Sequence, residues 1–190
     1  ADGKVGEIWT SGPSLASGYW QRSRETAETF IDREESRWLR TGDLGFIHAG
    51  QLYIAGRRKD LIIVRGQNIY PQDIEQVVET EVEAARKGRV AAFPVETPKG
   101  EGIGIAVEVS RTTQKRVAGE ALVRSLNEAV SASCHESLSV VVLLNPGALP
   151  KTSSGKLQRA ACRQGWRERT LDAYAIYEYG FYLSGAGART

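Results

Sequence analysis

The chain has 190 residues, 41% apolar and 25% charged, a profile that fits one folded domain of ordinary size, or one domain with part of another. It excludes long-range disorder and a collagen-like repeat, and the longest apolar run, Val140 to Leu144, is far too short to cross a bilayer. With 25 basic against 23 acidic side chains, the net charge of +2 leaves no footprint for nucleic acid.

The first predicted element is a strand, Val5 to Thr10, closed by the turn residues Ser11-Gly12-Pro13. Ser23 is a candidate cap for a short helix running to about Phe30. Trp38 to Ile47 and Leu52 to Ile54 predict a hairpin around His48-Ala49-Gly50. No long helix is expected here, so residues 1–57 read as a small sheet or partial barrel. The absence of methionine and of any signal-like start predicts an internal or C-terminal piece of a longer protein, with this β-rich stretch leaning on other polypeptide.

After Gly56 helices enter. Leu61 to Val64 is a short apolar strand. Pro71 stands at a helix start, where its missing N–H costs nothing, and Ile74, Val77, Val78 and Val82 follow at helical spacing. Arg89 to Val95 is a strand. Ile103, Ile105, Val107 and Val109 alternate with Gly104, Ala106 and Glu108, which predicts a half-buried strand. Lys115 to Ser133 carries Val117, Leu122, Leu126 and Val130 on one stripe and predicts a single amphipathic helix. A strand from Leu138 to Leu144 and a helix from Leu157 to about Arg169 complete the pattern. The order predicts an α+β fold, a compact domain at 58–170 in which a small sheet is flanked by helices. Residues 171–190, with Tyr174, Tyr177, Tyr179 and Tyr182, read either as a segment packed back on that domain or as a linker.

The two cysteines, Cys134 and Cys162, form no CxxC, and only His48 and His135 are present, so neither a disulfide framework nor a metal site is expected. A reduced, cytoplasmic setting follows as the expectation.

Three motifs carry chemistry. Thr41-Gly42-Asp43 puts a carboxylate, a two-oxygen acceptor, at a strand end, where it can bind a ribose diol or simply make a turn. Gly56-Arg57-Arg58-Lys59-Asp60 joins the two compositional regions, and its charges fit either an inter-domain hinge or a solvated run. Leu149-Pro150-Lys151-Thr152-Ser153-Ser154-Gly155-Lys156-Leu157-Gln158-Arg159 is a small-residue loop entering a helix. Its Gly155-Lys156 fails the phosphate-loop pattern, because Pro150 stands where glycine is needed and Leu157 where Ser or Thr is needed. What remains is a loop lysine, either solvent-exposed and inert or able to reach an anion.

Taken together, TGDLG, GRRKDLIIVRGQNIYPQDIE and LPKTSSGKLQR resemble, in that order, the C-terminal motif set of the adenylate-forming enzymes: acyl-CoA synthetases, peptide-synthase adenylation domains and luciferases. The resemblance covers residues 1 to about 170. RGQNIYPQDIE with PGALPKTSSGKLQRAACRQ looks most like the fatty acyl-AMP ligases, although Gln67 and Ile69 stand where that subfamily often has Arg and His. The resemblance implies that 1–57 is the β-rich end of a large N-terminal domain and 58–170 a mobile C-terminal domain. It implies that Asp43 and Arg57 bind the ribose of ATP and of the acyl-adenylate, that Lys59 or Asp60 is the hinge, and that Gly66 lies on the thiol channel. Lys156 would be the catalytic lysine of the adenylation step, between the acyl carboxylate and the α-phosphate. Implied cofactors are ATP and Mg²⁺, bound mainly by the N-terminal part. Implied partners are a fatty acid and an acyl carrier protein, or CoA if the protein is an acyl-CoA ligase. A carrier-docking module without catalysis is the reading from a different class.

Overall fold

The computed structural model describes residues 3–184, and its internal contacts divide the chain into two units, 1–59 and 60–190. No helix among the described residues is long and apolar enough to cross a membrane.

The first unit comprises β1 (Gly6–Ser11), α1 (Ser23–Thr29), β2 (Phe30–Arg33), β3 (Ser36–His48) and β4 (Gln51–Arg57). The long β3 organises it. β2 pairs with its first residues, β1 with its middle and β4 with its last, all antiparallel, giving a four-stranded open sheet rather than a partial barrel. Ser23 is not the cap of α1. Arg22 holds that position without a side-chain hydrogen bond, and Thr26 Oγ1 instead ties the helix to the Tyr19 N–H at 2.9 Å. β2 was not foreseen. Its pairing partner lies across the turn at Glu34, a residue in the left-handed region at φ 52°, and a Glu-Glu pair carries no conventional turn signal.

The second unit comprises β5 (Ile62–Val64), β6 (Gln67–Ile69), α2 (Pro71–Glu81), β7 (Val90–Thr97), β8 (Gly100–Glu108), α3 (Arg111–Arg116), α4 (Gly119–Cys134), β9 (Leu138–Leu144), α5 (Arg159–Arg167), β10 (Ala173–Glu178) and β11 (Phe181–Ser184). The last five strands in chain order apart from the β5–β6 hairpin form one sheet, ordered β11-β10-β9-β8-β7. Only β8 and β9 run parallel, because the helical crossover α3–α4 joins them. Period-two alternation then builds two cores. Val90, Ile103, Ile105, Val107, Val141 and Leu143 meet Ile74 and Val78 of α2 and Leu122 and Leu126 of α4. On the other face Phe93, Val95, Val140, Val142 and Leu144 meet Cys162 and Trp166 of α5.

That second core corrects the expectation for β8. Gly104 and Ala106 are buried as fully as Ile103 and Ile105, because α5 covers the face expected to meet solvent. Glycine is needed at 104: an added Cβ would lie 2.6 Å from Phe93 Cε2 and 2.7 Å from Val95 Cγ1. The helix expected over 115–133 is two helices. Ser110 caps α3 by accepting from the Thr113 N–H at 3.1 Å, and Val117 and Ala118 are extended, so Val117 leaves the buried stripe and is exposed. Gly119, a poor helix former, sits where a continuous helix would have had to run through it. The final helix starts at Arg159 rather than Leu157, because Leu157 pairs with Lys151 in an isolated bridge. Residues 173–184 pack back on the domain as β10 and β11; the expectations for 185–190 lie outside the described residues.

Candidate active site

In the first unit Asp43 and Arg57 are cross-strand neighbours in the β3–β4 register. The Arg57 Nε donates to Asp43 Oδ1 at 3.0 Å, and the Asp43 N–H donates to Thr41 Oγ1 at 3.0 Å. Oδ2 accepts no hydrogen bond from another described residue. The carboxylate is thus oriented by a cation and keeps one oxygen for a hydroxyl donor. Gly42, Arg57, Arg58, Lys59, Arg40 and Glu7 line an adjoining cavity of about 530 Å³, on whose wall Arg57 stands but Asp43 does not. Burial raises the affinity of Glu7 for a proton, yet hydrogen bonds from Trp9 and Arg40, with the charges of Arg40 and Arg58, outweigh it and hold the carboxyl below its ordinary range.

In the second unit Lys156 is exposed on the loop between Lys151 and Leu157. That loop is built rather than slack. The Lys156 carbonyl accepts from the Thr152 N–H at 2.9 Å, the Lys156 N–H donates to Thr152 Oγ1 at 3.0 Å, and the Gly155 N–H donates to the Thr152 carbonyl at 2.9 Å. Its ammonium has no ion pair among the described residues. The backbone is therefore held while the charge is left to solvent.

Gly66 occupies the tip of the β5–β6 hairpin with Arg65, both left-handed at φ 79° and 50°, between the paired residues Val64 and Gln67. A turn of this hand demands glycine there, and an added Cβ would meet nothing within 4 Å. The hairpin is anchored by the Ile63 N–H donating to the Glu101 carboxylate and by Arg65 facing Glu136 at 3.5 Å.

Lys59 and Asp60 fall on opposite sides of the division between the units. Asp60 Oδ2 accepts from Arg159 Nη1 at 3.1 Å, and Arg159 grips Glu75 with both arms, Nε to Oε1 and Nη2 to Oε2, each at 2.7 Å. The Glu75 hydrogen bonds, joined by Asp60, hold the Arg159 guanidinium above its ordinary range despite its burial. Burial, with the Glu75 charge, pushes the neighbouring Cys162 thiol up to about 12. Sequence reasoning gave no role to Glu75 or Arg159, although each closes one of the quoted motifs. The available signal was that YPQDIE and GKLQR both end in a charge at the edge of an apolar pattern.

The fold is shared with known enzymes. A structure from work on the fatty acyl-adenylate ligases of E. coli and L. pneumophila superposes with a TM-score of 0.72 at 37% identity, over 88% of this chain and 28% of that one. The adenylation and carrier-domain structure of McyG, solved with phenylalanyl-adenylate, gives 0.73 at 26% identity over 88% and 26%. Sequence and fold together fit the C-terminal part of an adenylate-forming enzyme. Among curated relatives, the chain is 45% identical over 175 residues to the medium-chain-fatty-acid–[acyl-carrier-protein] ligase JamA of Moorena producens, covering 90% of this chain. It is 41% identical over 179 residues to the long-chain-fatty-acid–AMP ligase FadD26 of Mycobacterium marinum, and 40% identical over 182 residues to the putative fatty-acid–CoA ligase fadD21 of Mycobacterium leprae. The chain spans 30% of the length of each of these relatives. No family model matches it.

Proposed function

We propose that this chain is the C-terminal portion of a fatty acyl-AMP ligase, which joins a fatty acid to AMP and passes the acyl group to a carrier-protein phosphopantetheine thiol. The observation that carries the reading is an exposed Lys156 ammonium, without an ion pair among the described residues, on a hydrogen-bonded loop, in a chain 45% identical to a carrier-protein ligase.

In the first half-reaction a fatty-acid carboxylate oxygen attacks the α-phosphorus of ATP, forming the acyl–phosphate bond and releasing pyrophosphate. Two anions must meet, so the barrier is largely charge repulsion and positioning. Lys156 supplies a positive charge between the carboxylate and the α-phosphate. Asp43, oriented by Arg57, accepts a ribose hydroxyl. Mg²⁺, when bound, would add positive charge at the phosphates; no group of three or more His, Cys, Asp or Glu among the described residues could hold it. In the second half-reaction the thiol sulfur attacks the acyl carbon, forming the thioester and expelling AMP, without need of Lys156. Rotation about Lys59–Asp60 withdraws Lys156 and presents the Gly66 hairpin. The division of the chain at this dipeptide supports that hinge. The 190 residues alone do not catalyse.

In the full-length enzyme Lys156→Ala lowers acyl-adenylate formation roughly 100- to 1000-fold, as for loss of one preorganised donor, and leaves thioester formation from supplied acyl-adenylate intact. Equal loss of both half-reactions rejects the division of roles. Similarity to a protein named as a putative CoA ligase favours free CoA as the second reading. Product analysis with holo-carrier protein and CoA offered together separates them.

A further inference from the structure

The backbone on the two sides of Lys59 is fixed to different units. Before it, the Arg58 N–H donates to the Gly42 carbonyl at 2.9 Å, and its guanidinium stands 3.7 Å from Glu7. After it, Asp60 is held by Arg159 at 3.1 Å, and Ile62 is fully buried. Lys59 between them is exposed and makes no hydrogen bond or ion pair among the described residues.

Arg159 does not hold Asp60 from a loose position. Its fork is filled by Glu75, which is 6% exposed and whose Oε1 also accepts from the Ala92 N–H at 3.0 Å. A continuous chain of hydrogen bonds therefore runs from Asp60 through Arg159 and Glu75 into the backbone of β7. Arg159 is also the first residue of α5, the helix entered directly from the Lys156 loop.

Building on the hinge reading above, we propose that Arg159 is a positioning residue: by clamping Asp60 to the body of the second unit, it confines inter-unit rotation to Lys59 and makes the Lys156 loop turn with that pivot as one rigid arm. Freeing one backbone residue multiplies its accessible conformations roughly 5- to 30-fold, so an unclamped Asp60 would let the lysine arrive over a wider range of positions. Lys156 would then spend less time where it can act.

The test uses the full-length enzyme with one spin label on each unit, read by pulsed dipolar distance measurement. Asp60→Ala breaks the clamp and leaves the Arg159–Glu75 fork in place, so the protein folds. It broadens the inter-unit distance distribution and lowers kcat for multiple-turnover thioester formation roughly tenfold with KM for the fatty acid unchanged, the equivalent of one charged hydrogen bond. Arg159→Lys keeps the charge but not the fork and broadens the distribution likewise. Wild-type distances and kcat in Asp60→Ala would overturn the clamp and leave the hinge standing. A single narrow distance in the wild type, unmoved by ATP or acyl-adenylate, would overturn the hinge reading and the clamp with it.

Discussion

Among the described residues of the first unit the buried apolar side chains are Phe30 and Leu44, while Ile47, Leu52, Tyr53 and Ile54 along the β3–β4 hairpin stand open to solvent. In residues 60–184 more than one complete layer is buried: Val78, Ile105, Leu126 and Val141 on one face of the sheet, Phe93, Val142, Cys162 and Trp166 on the other. Both units rest on antiparallel hairpins, so hydrogen-bonded strands do not account for the difference; what flanks the sheet does. The first unit is held by polar devices around Trp9, whose ring centre has the guanidiniums of Arg33 and Arg40 at 5.5 and 5.6 Å while its N–H donates to Glu7 at 3.1 Å. Such contacts contribute about 0.5–1 kcal/mol each at exposed sites, too little to offset the ordering of so many residues. A stretch that specifies its strands but so small a core is expected to be marginal when it stands alone.

The contrast breaks most directly by cutting the chain. Residues 60–190 expressed alone are expected to unfold in one cooperative transition by circular dichroism, and residues 1–59 alone to show none. A sharp melt in 1–59 would mean that its polar contacts suffice. The next largest effect belongs to the ion cluster. Glu75→Gln removes the charge that a two-armed guanidinium depends on and is expected to cost about 3 kcal/mol in urea unfolding, in line with breaking a buried pair. Gly104→Ala comes third. Phe93 and Val95 stand too close to the new methyl to accept it, and overpacking of this kind costs about 1–3 kcal/mol. Loss of less than a few tenths of a kcal/mol would mean that the sheet yields there.

Legibility in the sequence follows the same division. Period and composition reveal an element when its neighbours are local or its pattern is strong, as for Pro71 opening α2 or the apolar run of β9, which occupies Leu138–Leu144 as expected. They fail where a partner distant in sequence decides. β6 is three residues long with Gln67 and Asn68 exposed, and only pairing with β5 makes it a strand. The buried second face of β8 depends on α5, more than fifty positions later, and alternation with small residues looks the same whether a helix or water covers them. For the site, Asp43, Arg57, Lys59, Asp60, Gly66 and Lys156 were named because their motifs resemble a family's. The pairing of Asp43 with Arg57 is a register fact that spacing alone does not give. The Glu75–Arg159 contact joins residues 84 positions apart, and no local rule connects them.

The smallest expected effect sharpens the comparison, because both units contain a carboxylate held by an indole and an arginine. Glu7 has Trp9 and Arg40; Glu178 has Trp166 and Arg169, which tie the end of α5 to β10. Burial pushes the Glu178 carboxyl up, but the hydrogen bonds from Arg169 and Trp166 outweigh it, and the group lies below its ordinary value of 4.5. With the folded value below the unfolded one, the stabilisation is fully present above about pH 4.5 and is lost as pH falls through the lower folded value. The pair is partly solvated, so its worth is less than about 1 kcal/mol. Melting wild type and Glu178→Gln between pH 7 and pH 3 should show a small wild-type advantage that is constant down to about pH 5 and then shrinks, as the ordinary carboxylate range is crossed. An advantage that grows on acidification would mean that Glu178 is stabilised in its protonated form, and that the indole and guanidinium pack against it rather than hold its charge.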